Sequence, residues 1–183
     1  MNVVRKEEAY KETYTIEDIY ALPEGERAEL IDGQIFYLAT PSTRHQRIVS
    51  KLNQKIANYI DVHGGDCEVF PSPFAVFLNN DDINYVEPDI SVICDQSKLT
   101  DKGCNGAPDW IIEIVSPSSK RMDYLIKLFK YRNAGVKEYW IVDSEKDRIT
   151  VYNFVHDTIE EYAFGDDVPA GIYEDFSIKV SDM

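Results

Sequence analysis

The sequence contains few cysteines, and their spacing gives little support for a disulfide framework or a zinc site. Three occur among 183 residues, Cys67, Cys94 and Cys104, and none forms a CxxC pair. An odd number of cysteines without that spacing argues against both kinds of site. Cys67 and Cys94 lie in apolar stretches, so we expect them to behave as small buried hydrophobic residues in a reduced protein.

Long apolar segments are also missing. No run approaches the roughly 20 residues that cross a bilayer, and the first residues, MNVVRKEEAYKETY, lack the apolar centre of a signal peptide. Hydrophobic residues nevertheless make up 44% of the chain, which is ordinary for a globular protein. We therefore expect a cytoplasmic protein without membrane contact. Residues 1–183 should form a single domain, with 1–14 as the candidate irregular segment.

Positive charge is scarce. The chain has 19 lysines and arginines against 33 aspartates and glutamates, a formal net charge of −14. Such a chain is repelled from phosphate unless its cations are clustered or a divalent metal ion neutralises the site. The composition therefore argues against a nucleic-acid-binding protein that relies on overall charge.

The pattern of apolar residues indicates an α/β or α+β fold, a mixed β-sheet flanked by helices. The Asp32-Gly33 pair between two apolar runs predicts an N-terminal β-hairpin, because both residues tolerate positive φ. Apolar spacing predicts one helix at 42–61 and a second after the SPSS motif, whose apolar residues include Leu125 and Phe129 and which ends at Gly135. A short helix is predicted at 15–21, and strands are predicted within 66–94 and at 109–115, 136–143, 147–155 and 158–164.

One basic stripe has helical regularity. On the predicted helix 42–61 it contains Arg44, Arg47, Lys51 and Lys55. Four cations within three turns could follow a phosphate backbone. A solvated helix face explains the same spacing, so both interpretations stay open.

Two carboxylates fall within strongly apolar strand patterns. In VEPDISVIC the strand period of two places Asp89 on one face, and in DWIIEIV Glu113 shares a face with Ile111 and Val115. Burial of an ionised carboxylate is unfavourable unless it is paired or binds a cation. Side by side on central strands, the two would offer hard oxygen ligands that suit Mg²⁺. The alternative is that Asp89 only begins a strand and that Glu113 pairs with a lysine or arginine.

The order of several motifs resembles a known family. EPDISV, PDWIIEIVSPSS and NAGVKEYWIVD follow one another, after an ELIDGQI hairpin and a helix that contains His45. In this order the chain resembles the Uma-two-like endonucleases of the PD-(D/E)XK nuclease superfamily, from about residue 15 to the end. The resemblance implies a restriction-endonuclease-like fold and hydrolysis of DNA with Mg²⁺ or Mn²⁺.

The resemblance also implies the roles of particular residues. Asp89 would be the acidic residue of the PD element and Glu113 that of the (D/E)XK element, and the backbone carbonyl of Ile114 would be a further metal ligand. Val115 stands where the superfamily has its lysine. In this family the following helix is thought to supply that lysine, and Lys127 fits the position.

Three of these assignments have simpler alternatives or less support. Lys127 follows Asp123 by four residues, so an ordinary helix ion pair also explains it. His45 lies on the apolar side of its helix, where a buried structural histidine is the usual case; the resemblance makes it an active-site residue that touches phosphate. Glu29 matches an N-terminal acidic residue that would complete the site.

Two functions remain open at this point. The first is a metal-dependent DNA endonuclease, favoured by Asp89 and Glu113. The second is an inactive module of the same fold that binds nucleic acid or assembles with other proteins, favoured by Val115 and the net charge. A homodimer is expected in either case, since two-fold symmetry is common and would let two sites act on two strands.

Overall fold

A computed structural model describes residues 12–116 and 119–180. The N-terminal part holds helix α1 (Ile16–Tyr20), the hairpin strands β1 (Ala28–Ile31) and β2 (Gln34–Tyr37), and the long helix α2 (Thr43–His63). The predicted turn is confirmed, because Asp32 and Gly33 have φ of 50° and 73°. The Ser42 side chain caps α2 by accepting a hydrogen bond from the His45 amide. Of the expected irregular segment 1–14, residues 1–11 lie outside the described residues.

A six-stranded mixed sheet forms the centre of the molecule. Its order is β11-β10-β9-β8-β5-β3, and within it only β8 and β9 pair in parallel. A helical connection joins these two strands, with a π-helical stretch at Met122–Lys127 that continues into α3 (Leu128–Ala134). The mixed sheet flanked by helices is as predicted. Its strands are β3 (Glu68–Pro71), β5 (Ile90–Ile93), β8 (Trp110–Val115), β9 (Glu138–Asp143), β10 (Arg148–Asn153) and β11 (Thr158–Ala163).

Short elements extend the sheet at its margins. A three-stranded sheet lies between β3 and β8 along the chain, and a two-stranded one closes the C-terminal segment. They comprise β4 (Val76–Phe77), a 3₁₀ turn (Gln96–Lys98), β6 (Leu99–Thr100), β7 (Gly103–Asn105), β12 (Val168–Pro169) and β13 (Ser177–Ile178). Among the described residues, no helix combines the length and the apolar character needed to cross a membrane.

Both faces of the central sheet are covered. On one face α2 and the C-terminal segment pack on β5, β8 and β9 around Trp110 and Trp140. On the other face α3 packs around Tyr131 and Tyr139. Because β8 and β9 are buried on both faces, most of their residues are apolar, as expected for central strands, but β8 contains the buried Glu113 and β9 the buried Glu138 and Asp143.

The helix before β9 differs from the prediction in the face that it buries. Leu125 and Phe129, expected to pack against the sheet, are 63% and 64% exposed. Asp123, Lys127 and Tyr131 are buried instead. The π-helical stretch changes the angular spacing of side chains, and the inward-facing charges meet partners on the sheet. Polar contacts within the core therefore set the orientation of this helix. The spacing of apolar residues in the sequence does not reveal such contacts.

The expectation of reduced cysteines is wrong for two of the three. Cys67 and Cys94 form a disulfide and are half-buried, whereas Cys104 is free and buried. The cause is the register of β3 and β5, which pairs Glu68 with Ile93. One residue beyond this pair, the same register places Cys67 opposite Cys94. Sequence spacing could not reveal this contact, because it depends on which strands become neighbours.

Candidate active site

Asp89, directly before β5, lies opposite Glu113 on the neighbouring strand β8. The antiparallel register pairs Ile90 with Ile112, and one step further along it places Asp89 opposite Glu113. The Ile114 amide donates a hydrogen bond to Asp89 Oδ2 (2.8 Å), and the Asp89 amide lies 3.4 Å from Glu113 Oε2. The Asp89 side chain is 18% exposed, while Glu113 is buried. The structure thus places the two predicted carboxylates side by side at the end of β5.

Lys127 reaches the carboxylates from the helix that follows β8. Its Nζ donates to Glu113 Oε1 (2.8 Å) and to Glu29 Oε1 (2.9 Å), and it lies 3.8 Å from Asp123 Oδ1. The position of this lysine is compatible with both alternatives, and its role in catalysis stays a prediction. Lys127 has the helix partner Asp123, and it also belongs to the cluster around Glu113.

The electrostatics of this cluster favour retention of charge on the lysine. Burial alone lowers the pKa of Lys127, but the negative charges of Glu113, Glu29 and Asp123 outweigh it and raise that pKa well above its usual range. Burial is also the main reason that the pKa of Glu113 is raised well above its ordinary value; Asp89 adds to the shift and Lys127 opposes it. Lys127 is accordingly a fixed ammonium ion rather than a proton acceptor.

His45 closes the site from the first turn of α2. Its Nε2 lies 3.1 Å from Asp89 Oδ2, and its ring also makes a hydrogen bond to the backbone of Ile114. Burial lowers the pKa of His45, but the hydrogen bond to Asp89 and the charge of Asp89 raise it above its ordinary value. The half-buried ring thus contacts the carboxylate of Asp89 and the backbone of Ile114, two predicted metal ligands, and its contact with phosphate stays a prediction.

Glu29 links the N-terminal hairpin to the cluster. It lies on β1, opposite Phe36, and is buried. Its Oε1 accepts hydrogen bonds from Lys127 and from the Glu87 amide (3.0 Å). Glu29 therefore holds the lysine in place and ties the hairpin to the segment that carries Asp89.

These residues lie in a cleft of about 1060 Å³. Of the basic stripe, Arg44 lines the cleft and forms an ion pair with Asp147 (2.6 Å). Arg47, Lys51 and Lys55 do not line it, and Lys55 instead donates to the Lys179 carbonyl. The structure does not bring the stripe as a whole to the carboxylates, because the α2 residues that line the cleft are Arg44, His45, Gln46 and Val49.

Three cleft or cluster residues were not predicted as site residues. Arg27 lines the cleft, bonded through Nε to Glu87 Oε2 (2.8 Å) and through Nη2 to Ser72 Oγ (2.7 Å). Asp123 is buried beside Lys127, and the Tyr131 hydroxyl donates to Glu113 Oε1 (2.8 Å). The spacing of Asp123, Lys127 and Tyr131 at intervals of four is a sequence signal for one shared helix face.

The donor set fits a hard divalent cation. The Lys127 ammonium lies within 4 Å of three carboxyl groups, those of Glu29, Glu113 and Asp123, and Asp89 lies beside Glu113, so four carboxyl groups share one ammonium. Within the described ranges, no three His, Cys, Asp or Glu side chains converge to enclose an ion. A cation could therefore be held by Asp89, Glu113 and the Ile114 carbonyl, with water as the remaining ligands, as Mg²⁺ usually is.

Comparison with known proteins agrees with this architecture. A solved structure described as a "putative nuclease belonging to DUF820", from Anabaena variabilis, superposes with a TM-score of 0.74 over 92% of this chain and 96% of that one, at 21% identity. The likeness shows that the fold is restriction-endonuclease-like, as predicted.

Two curated relatives come from Synechocystis sp. and carry the description "uncharacterized". The protein slr1290 is 32% identical over 129 residues, 70% of this chain and 66% of its own length. The protein sll1609 is 27% identical over 135 residues, 72% of this chain and 75% of its own length. The match thus spans slightly less than two thirds of the first relative.

A family model extends the match to nearly the whole chain. The Uma2 model, described as "Putative restriction endonuclease", matches residues 16–181. This range contains the hairpin, the central sheet and every residue of the cluster described above. The chain therefore belongs to the Uma2 family, as the order of its motifs predicted.

Proposed function

We propose that this protein is a metal-dependent endonuclease that hydrolyses phosphodiester bonds of DNA. The observation that carries the proposal is the position of Asp89, directly before β5, beside Glu113 on the adjacent strand β8, in a cleft that also holds Lys127 and His45. Membership of a family of putative restriction endonucleases supports the same reaction class.

The residues would divide the reaction between them. Asp89, Glu113 and the Ile114 carbonyl would hold Mg²⁺ or Mn²⁺, which supplies a water of lowered pKa and charge to offset the phosphorane. Lys127 adds a fixed positive charge beside Glu113 and keeps that carboxylate oriented. His45 can hold a proton at Nε2 and lies at the cleft surface, where it can neutralise a phosphate oxygen. Arg44 and Arg27 are the accessible cleft cations placed to meet the DNA backbone.

The test is nicking of supercoiled plasmid at low salt with Mg²⁺ or Mn²⁺. Wild type should nick, whereas EDTA or Glu113→Gln should abolish nicking, because the variant keeps the shape of the side chain and loses the charge that holds the cation. Glu138→Gln is the matched control: it is the same substitution at another buried glutamate, on the neighbouring strand, and should leave nicking intact. Nicking that survives in Glu113→Gln would place the activity elsewhere.

The second candidate is an inactive module that binds nucleic acid or assembles with other proteins. The observations that favour it are the ion pairs that already engage Arg27, Arg44 and Lys127 within the cleft. Absence of nicking across metals and substrates, with DNA binding retained, would select this function. The homodimer and the cytoplasmic location stay predictions; light scattering tests the former.

A further inference from the structure

We propose that Tyr131 is a positioning residue for Glu113, fixing one carboxylate oxygen so that the other faces Asp89 and the cation. The inference rests on the proposed metal site and adds a residue for which neither the motifs nor the superfamily signature assigns a role. It concerns the affinity for the cation, so it can be tested without cleavage.

The hydrogen bonds of Glu113 are divided unequally between its two oxygens. Oε1 accepts from the Tyr131 hydroxyl and from Lys127 Nζ, each at 2.8 Å. Oε2 lies towards Asp89, with the Asp89 amide at 3.4 Å. Two short bonds to one oxygen fix the rotation of the carboxylate, and they leave the other oxygen, which accepts only the long bond from the Asp89 amide, with a lone pair for a ligand in the cleft.

Tyr131 is suited to this task by its burial and by its chemistry. Its side chain is completely buried, on the helix face that also carries Asp123 and Lys127. Its hydroxyl donates to Glu113 Oε1 at 2.8 Å, and a phenol is a neutral donor. Unlike Lys127, it adds no positive charge that would compete with the cation.

The choice between positioning and general structural support can be made with two variants. Tyr131→Phe removes the donor to Glu113. Tyr139→Phe removes an equally buried hydroxyl whose acceptor is the backbone carbonyl of Asp123 (3.2 Å), on a ring that packs edge-on against Tyr131. Each variant loses one buried hydrogen bond. The midpoint temperature of thermal unfolding should therefore fall by similar amounts in the two metal-free proteins.

Metal affinity should separate the variants. Partners that orient a metal ligand typically contribute 10- to 100-fold in affinity. By titration calorimetry with Mn²⁺, Tyr131→Phe should therefore bind at least about 10-fold more weakly than wild type, while Tyr139→Phe should bind as wild type does. The water-proton relaxation of bound Mn²⁺ gives a second readout, since a misplaced Glu113 ligand is replaced by water.

The possible outcomes separate this inference from the proposed nuclease activity. Weaker Mn²⁺ binding by Tyr131→Phe supports the inference even if no DNA is cut. Unchanged affinity in Tyr131→Phe, with Glu113→Gln impaired, would overturn it and leave the proposed function intact. Equal weakening in Tyr131→Phe and Tyr139→Phe would also overturn it in favour of a structural role, and a wild type that binds no divalent cation would overturn both.

Discussion

Two buried glutamates on neighbouring parallel strands have opposite surroundings. Glu113 on β8 points to the sheet face covered by α3, where Lys127 and Tyr131 bind it and Asp89 lies opposite. Glu138 on β9 points to the face covered by α2 and the C-terminal segment, where the Trp140 indole donates to its Oε1 (2.5 Å).

This difference teaches that burial of a carboxyl group does not identify an active site. Burial raises the pKa of Glu138 to about 7, with small opposing effects from the Trp140 indole and the Gly171 backbone. The pKa of Glu138 is raised by burial and opposed only by two neutral hydrogen-bond donors. The pKa of Glu113 is also raised by burial, but it is affected in addition by the charges of Lys127, Asp89, Asp123 and Glu29. The charged neighbours and the open cleft, rather than burial, distinguish the candidate site around Glu113.

The largest expected effect comes from removal of the ammonium. Lys127→Met leaves Glu113 and Glu29 buried without their cation, and loss of one partner of a buried ion pair costs about 3–5 kcal/mol. Urea unfolding in metal-free buffer measures this loss. Arg148→Met, which breaks the exposed pair with Glu161, should cost less than about 1 kcal/mol.

A second substitution tests the cause of that loss. Adding Glu113→Gln to Lys127→Met should recover part of the stability, because the unpaired charge is removed as well. A double variant less stable than Lys127→Met would show that packing, rather than charge, explains the role of this lysine.

A smaller effect, with the opposite sign, is expected at Glu138. Its pKa is higher in the folded than in the unfolded protein, so the folded state holds the proton between about pH 4.5 and 7 and the unfolded state does not. The contribution of Glu138 to the free energy of unfolding is therefore complete below the pKa of the unfolded state. It is lost as the pH rises through the folded-state pKa of about 7. A shift from 4.5 to about 7 corresponds to about 3 kcal/mol.

Glu138→Gln should remove that loss. The measurement is the free energy of unfolding in urea, for both proteins, at about pH 5 and about pH 8. The difference between variant and wild type should change by about 3 kcal/mol in favour of the variant from the lower to the higher pH. Its Mn²⁺ affinity should not change, because the residue lies on the other face of the sheet. Parallel pH profiles for the two proteins would mean that Glu138 has an ordinary pKa.

Asp89→Asn should change stability less and binding more. Asp89 is partly exposed, and its amide replacement can still accept from the Ile114 amide, so we expect a loss of about 1 kcal/mol in unfolding. Mn²⁺ affinity should fall by more than about 10-fold, because a charged ligand is lost. Calorimetry that finds equal affinities would remove Asp89 from the site.

The order of elements and the two central carboxylates were accessible from sequence, because they depend on local patterns. The Asp32-Gly33 turn needs positive φ, and the apolar runs around Asp89 and Glu113 mark central strands. Motif order then indicated the family. The pairing of β5 with β8 makes the carboxylates neighbours. This pairing was assumed, because the sequence pattern does not determine which strands lie side by side.

Long-range polar contacts were not accessible. Apolar periodicity assigned Leu125 and Phe129 to the inner helix face, yet the energy of pairing Lys127 with Glu113 and Glu29 turns that face outward. The Cys67–Cys94 disulfide and the bond from Tyr131 to Glu113 likewise join residues whose proximity depends on register. Only a three-dimensional arrangement defines such partners.

The smallest expected effect compares two arginines of α2. Arg44 lines the cleft, whereas Arg47 is exposed elsewhere on the helix, and neither substitution by alanine should change stability by more than about 1 kcal/mol. If DNA enters the cleft, Arg44→Ala should lower the log–log salt dependence of binding by about one unit, since one phosphate contact is lost. Arg47→Ala should leave the slope unchanged. Fluorescence anisotropy with cleavage-deficient Glu113→Gln as the background measures both slopes. Equal reductions for the two variants would mean that DNA follows the whole stripe of Arg44, Arg47, Lys51 and Lys55, and that the binding surface extends beyond the cleft.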